Sequence, residues 1–258
     1  MSERIERFDV EGRPHISVRA LTGDIRTVDG AAGSVVVRLR GHDRDLERYL
    51  VEEQGGTVTV EPDRTQRGRT GTVSVLVEIG EPAFLHIRTA SGNLTVEAPL
   101  AELTVDTAAG DMRIGEVSEG VRVKSASGDL RLGTVGRRLT VATAAGDVSA
   151  EAVGGDLELK SASGDVRVRR VGGNVSAQSA AGDIRIDAFE GGELNIKTLS
   201  GDVAVGVAAG RRYRVSFSSL SGDIHTDFPV SEEGSGGAPA RLRIRSMSGD
   251  IRIEPARS

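Results

Sequence analysis

The chain has 258 residues, of which 34 are Gly and 3% aromatic, with no Cys, no Trp and a formal net charge of −5. That length holds one or two domains with a real core, which here must be built from Val, Ile, Leu and Ala. The missing Cys excludes disulfides, thiolate nucleophiles and zinc–thiolate or iron–sulfur sites, and the acidic balance argues against a surface that coats nucleic acid.

The opening stretch, MSERIERFDVEGRPH, carries charges at Glu3, Arg4, Glu6 and Arg7 and lacks the apolar segment of a secretory signal. No run approaches the roughly 18–20 apolar residues that cross a bilayer, so a cytoplasmic protein without membrane insertion is expected. Residues 16–27, ISVRALTGDIRT, form two alternating runs around Gly23-Asp24, and Val35, Val37 and Leu39 continue the strand period. Leu46, Tyr49 and Leu50 fit a helical turn that leads into a hairpin, YLVEE–QGG–TVTVE, around Gly55-Gly56. Residues 63–71 form a basic loop in which Arg64, Arg67 and Arg69 are contact candidates, although a solvated loop explains them more simply. Val73, Val75, Val77 and Ile79 make another strand. Residues 1–88 are therefore expected to be irregular β coils that cap a regular region over 89–258.

That region is a repeat. Gly-Asp, or once Gly-Asn, recurs at Gly92-Asn93, Gly110-Asp111, Gly128-Asp129, Gly146-Asp147, Gly164-Asp165 and Gly182-Asp183, always 18 residues apart. It continues at Gly201-Asp202, Gly222-Asp223 and Gly249-Asp250 with longer intervals. One unit, SASGDLRLGTVGRRLTVA, places Leu130 and Leu132, Val135, then Leu139 and Val141 at strand spacing; Val148, Ala150, Val153, Leu157 and Leu159 repeat it. Two short strands cannot bury an apolar face alone, whereas identical units stacked in register share one core. The fold class expected is all-β, a parallel β-solenoid of about ten coils with 18-residue repeats and an irregular N-terminal β cap.

Near the end, DFPVSEEGSGGAPA (227–240) has the composition of a loop inserted between two coils. The chain stops at IRIEPARS, where Pro255 and Arg257 discourage further pairing; this final coil is the natural place for a homo-oligomer to form through the end coils.

Each Gly-Asp is expected to be a structural turn. Gly110, Gly128, Gly146, Gly164 and Gly182 supply positive φ, and Asp111, Asp129, Asp147, Asp165 and Asp183 hydrogen-bond nearby backbone. Thr89, Thr107, Ser125, Thr143, Ser161 and Ser179, three residues before each Gly, would form a hydroxyl ladder at the same corner. Stacked carboxylates about 4.8 Å apart repel by about 1 kcal/mol even in water. An outer column of Arg113, Arg131, Arg167, Arg185 and Arg252 offers opposite charge on the same face. Calcium on the Asp column is the weaker alternative, because the nonapeptide of calcium-binding β-rolls is missing. No cofactor and no catalytic residue are expected. His15, His42, His86 and His225 are scattered without metal spacing, no G-x-S-x-G elbow occurs, and the Gly-rich turns precede strands rather than phosphate-binding helices.

The units TASGNLTV, TAAGDMRI, SASGDLRL, TAAGDVSA, SASGDVRV and SAAGDIRI resemble the bacterial putative-adhesin family, a domain of unknown function. The resemblance covers at least 85–258 and implies a β-solenoid with no established catalytic residues; some relatives are linked to envelope-stress sensing. The expected function is a non-enzymatic scaffold that holds an unknown protein partner, without nucleic acid. The alternatives are end-to-end self-assembly, as in bacterial β-helical cytoskeletal proteins, and a carbohydrate-active β-helix enzyme. The last would need convergent carboxylates and aromatic platforms rather than a periodic column.

Overall fold

The computed structural model describes residues 2–63, 65–66, 71–208, 211–227 and 239–256. The chain divides into two compact units, 1–132 and 133–258. Arg64, Arg67 and Arg69, residues 228–238 of the expected inserted loop, and Arg257 lie outside the described residues.

The first unit begins with β1 (Ser2–Asp9), β2 (His15–Thr22), β3 (Ile25–Asp29) and β4 (Ser34–Gly41). A helical turn, α1 (Asp43–Leu46), precedes β5 (Tyr49–Gln54) and β6 (Thr57–Pro62), and β7 (Ser74–Ile79) follows. The strand–corner–strand coils continue with β8 (Ala83–Ser91), β9 (Leu94–Val96), β10 (Leu100–Ala109), β11 (Met112–Ile114), β12 (Val117–Ser127) and β13 (Leu130–Val135), the last of which crosses the unit boundary. β8, β10 and β12 pair in parallel, as do β9, β11 and β13, and Val105 lies between Ile87 and Val123 at steps of 18 residues.

The order at this end is not the chain order. The coil β2/β3 sits against β8/β9 on one side and against β6 and β7 on the other, all in parallel. Only beyond these do antiparallel strands appear: β5 on β6, and β4 on β7 with β1 on β4. The hairpin thus forms where expected, with Gly55 and Gly56 at φ 60° and 80°. Its inner residues, Tyr49, Val51, Val58 and Val60, are buried. An antiparallel cover does not extend the parallel winding, which is how a solenoid end is closed against further pairing.

The second unit contains β14 (Arg138–Thr143), β15 (Val148–Val153), β16 (Leu157–Ser161), β17 (Val166–Val171), β18 (Val175–Ser179) and β19 (Ile184–Phe189). It continues with β20 (Glu193–Ser200), β21 (Val203–Val207), β22 (Tyr213–Ser221), β23 (Ile224–Thr226), β24 (Ala240–Ser248) and β25 (Ile251–Pro255). One parallel series runs β14–β16–β18–β20 and the other β15–β17–β19–β21. Each places aliphatic side chains in columns: Val148, Val166, Ile184, Val203 and Ile251 are at most 3% exposed.

The expectation that the chain's last strand is the outermost coil is corrected here. β24 pairs with β20 on one side and β22 on the other, and β25 lies between β21 and β23. The coil 240–255 is therefore intercalated, and among the described residues the earlier coil β22/β23 forms the edge of this series. Its inward residues show this: Val215 and Ile224 are 41% and 46% exposed, whereas their partners Leu242 and Ile251 are buried.

Candidate functional site

The corners carry the most conspicuous residues. Gly110, Gly128, Gly146, Gly164 and Gly182 all have positive φ, between 105° and 129°. The reason is close approach: a Cβ on Gly182 would lie 2.3 Å from the carbonyl oxygen of Gly164 in the next coil.

The Asp side chains stitch these corners together. In the first unit Oδ1 of Asp24 accepts the backbone N–H of Asn93, Asn93 accepts that of Asp111, and Asp111 that of Asp129, at 2.9–3.1 Å. In the second unit the ladder runs from Asp147 through Asp165, Asp183, Asp202 and Asp250 to Asp223, at 2.8–2.9 Å. Backbone bonds return in the opposite sense, as from Val166 N–H to the Asp183 carbonyl. Asn93 serves as well as Asp because the ladder uses one carbonyl-type oxygen and needs no charge.

A second, shorter ladder was missed from sequence. Asp156 accepts the N–H of Asn174, and Asn174 accepts that of Glu193, at the turn between coils. The N–H of Asn174, with Arg138 3.3 Å away, holds the Asp156 carboxyl below the usual carboxylate range. The signal was present as Gly155-Asp156 and Gly173-Asn174, one half-repeat out of phase with the main column.

The hydroxyl column behaves differently from the expected ladder. Thr89, Thr107, Ser125, Thr143, Ser161 and Ser179 each donate to the carbonyl two residues on in their own coil, at 3.0–3.3 Å. A short hydroxyl reaches that local acceptor more easily than a neighbour one strand away.

The outer Arg column is less uniform than its spacing suggests. Arg131 pairs with Asp129, 3.1 Å away, as the charge lattice requires. Arg167 and Arg185 instead converge on buried Asp187, and Arg185 also reaches Glu254. Arg113 and Arg252 form no salt bridge among the described residues. For the Asp column as a calcium site, no group of three or more His, Asp or Glu is placed to hold an ion among the described residues. The histidines lie apart: His15 stacks on Phe84 with centroids 4.7 Å apart, His42 precedes α1, His86 is 3.5 Å from Asp106, and His225 is 2.6 Å from Asp227.

One surface in the second unit gathers residues that sequence spacing left separate. On β20, β24 and β22 the outward positions fall in register: Glu193, Arg241 and Arg214; then Asn195, Arg243 and Ser216; then Lys197, Arg245 and Ser218. One step further, in the column that holds Ala144, Ala162 and Ala180 in earlier coils, stand Leu199, Met247 and Leu220. They are 54%, 53% and 79% exposed. The change from Ala to large aliphatics within a strict repeat was the available signal.

No helix among the described residues is long and apolar enough to cross a membrane. No curated protein matches the chain. Among solved structures, a putative adhesin from Bacteroides fragilis superposes with a TM-score of 0.53 at 14% identity, over 98% of this chain and 97% of the other. A putative adhesin from Parabacteroides distasonis gives a TM-score of 0.46 at 10% identity over 97% of both chains. The first supports the all-β architecture alone. The Toastrack DUF4097 family model matches residues 14–254, and the chain therefore belongs to that family.

Proposed function

We propose that this protein is a non-enzymatic interaction scaffold whose flat sheet faces hold a partner, built as a β-solenoid of about ten coils. One observation carries the reading: the most prominent polar column, the corner Asp residues, is committed to backbone N–H groups of adjacent coils. A catalytic site needs a special place, whereas a periodic column performs the same structural task at every step. What is left to the solvent is a set of regular sheet faces, which suit extended partners. The test is affinity capture from cells grown with and without envelope stress, followed by mass spectrometry. A reproducible partner supports the scaffold, and none across several conditions counts against it. A glycan-degradation screen with and without calcium checks the enzymatic alternative.

The edge coil favours a second reading, self-association. Among the described residues β22 pairs only with β24, and β23 only with β25, so one row of backbone groups is left unpaired by another strand and the inward residues Val215 and Ile224 are half-exposed for want of a covering coil. Sedimentation over a concentration series decides it, since a strict monomer at high concentration removes this reading.

A further inference from the structure

The geometry points to the outer face of β20, β24 and β22 as a docking surface for an anionic lipid bilayer. Five cations, Lys197, Arg214, Arg241, Arg243 and Arg245, lie on three neighbouring strands with one carboxylate, Glu193. All five are exposed, and none is within salt-bridge distance of a carboxylate among the described residues. Several outward arginines elsewhere in the same unit are paired, Arg138 with Asp156, Arg169 with Glu151 and Arg170 with Glu190, whereas Arg252 on β25 forms no salt bridge among the described residues. Strands about 4.8 Å apart, with side chains repeating about every 6.6 Å along each, spread this charge over a flat grid. In a chain of net charge −5, such a local excess of unpaired cations is complementary to an extended anionic surface.

The ridge beside it selects which kind of surface. Leu199, Met247 and Leu220 project from the same three strands, on the same face, at the corner end. Basic groups that meet headgroups, next to aliphatic side chains that enter the acyl boundary, are the two components of peripheral membrane binding. A nucleic acid would instead be met by aromatic stacking groups, and no aromatic side chain occupies an outward position on these strands. The assignment rests on the scaffold reading only in treating a sheet face as the working surface.

The test is flotation of the purified full chain with phosphatidylcholine vesicles, with or without about 30 mol% phosphatidylglycerol, at about 0.1 M salt. Binding is expected only with the anionic lipid. Each cation near such a surface contributes about a fivefold factor in partitioning, so R241Q/R243Q/R245Q weakens binding about a hundredfold. R138Q/R169Q/R170Q makes the same change in net charge at paired positions and leaves binding within about tenfold. L199S/M247S/L220S removes the part of binding that survives at about 0.5 M salt, where surface charge is screened. Circular dichroism melts establish that each variant is folded. Equal binding to neutral vesicles, no binding to anionic ones, or an unchanged R241Q/R243Q/R245Q variant overturns the proposal. So does equal retention on heparin with the serine variant unaffected, which makes the face a general polyanion site. Because vesicles contain no protein, failure here leaves the capture experiment for a protein partner untouched.

Discussion

Replacing Gly182 with Ala isolates the constraint that holds consecutive corners together. The new Cβ would lie 2.3 Å from the Gly164 carbonyl oxygen and 2.7 Å from its carbon, both backbone atoms that cannot swing aside. Relief requires the two coils to part by about 1 Å on a strand spacing of about 4.8 Å. That movement stretches Asp183 N–H to Asp165 Oδ1, now 2.9 Å, and Val166 N–H to the Asp183 carbonyl, now 2.8 Å. Two weakened hydrogen bonds at about 1 kcal/mol each, plus about 1–2 kcal/mol for positive φ on a residue with a Cβ, give about 3–4 kcal/mol. For a chain of this size that lowers the melting temperature by about 6–16 °C. Gly55→Ala is the control: its φ is 60° with nothing within 4 Å of the added Cβ, so only the conformational cost of about 1 kcal/mol applies. Urea unfolding of both variants measures the difference. Equal costs within about 0.5 kcal/mol would refute the reasoning, because close stacking would then contribute nothing.

Three further outcomes follow from the ladders. Asp165→Ala deletes the acceptor for Asp183 N–H and costs about 1 kcal/mol in urea unfolding, whereas Asp165→Asn keeps the oxygen and stays within about 0.5 kcal/mol of the parent; equal losses would mean that charge matters rather than the hydrogen bond. Asp156 is held below its ordinary range in the folded chain, so its contribution is full above the unfolded value of about 3.9 and is lost as pH falls through the folded one. Asp156→Asn keeps the bond to Asn174 N–H but not the charge beside Arg138, and the stability gap to the parent should close between about pH 5 and pH 2; a constant gap contradicts this. Calcium at millimolar excess should leave the melting temperature unchanged, since Oδ1 of corner carboxylates such as Asp147 and Asp165 already accepts a backbone N–H and no three acidic or His residues converge among the described residues; an increase of several degrees would reinstate the metal column.

The legible part of the site was that encoded at short range. Gly182-Asp183 announces a tight corner by itself, because Gly relieves positive φ and Asp offers an acceptor near its own backbone. The acceptor's partner was not legible, since Oδ1 of Asp165 bonds an N–H 18 residues away. Nor was the choice made by Arg167 and Arg185, which pass over the corner carboxylates for Asp187. Long side chains on a flat sheet reach several acceptors within a strand spacing, and local alternation does not rank them.

The amino-acid order determined the strands, the corners and the apolar columns, because alternation and an 18-residue period are local properties that every coil repeats. Tertiary structure alone decided the order of coils within each unit, where β2/β3 lies between β8/β9 and β6 and β7 in the first, and β24/β25 between β20/β21 and β22/β23 in the second. Near-identical coils fit one another almost interchangeably, so their stacking order depends on how the chain's connections span them and on which coil best tolerates an open edge. That order is also what brings Lys197, Arg214 and Arg241 onto adjacent strands although they are far apart along the chain.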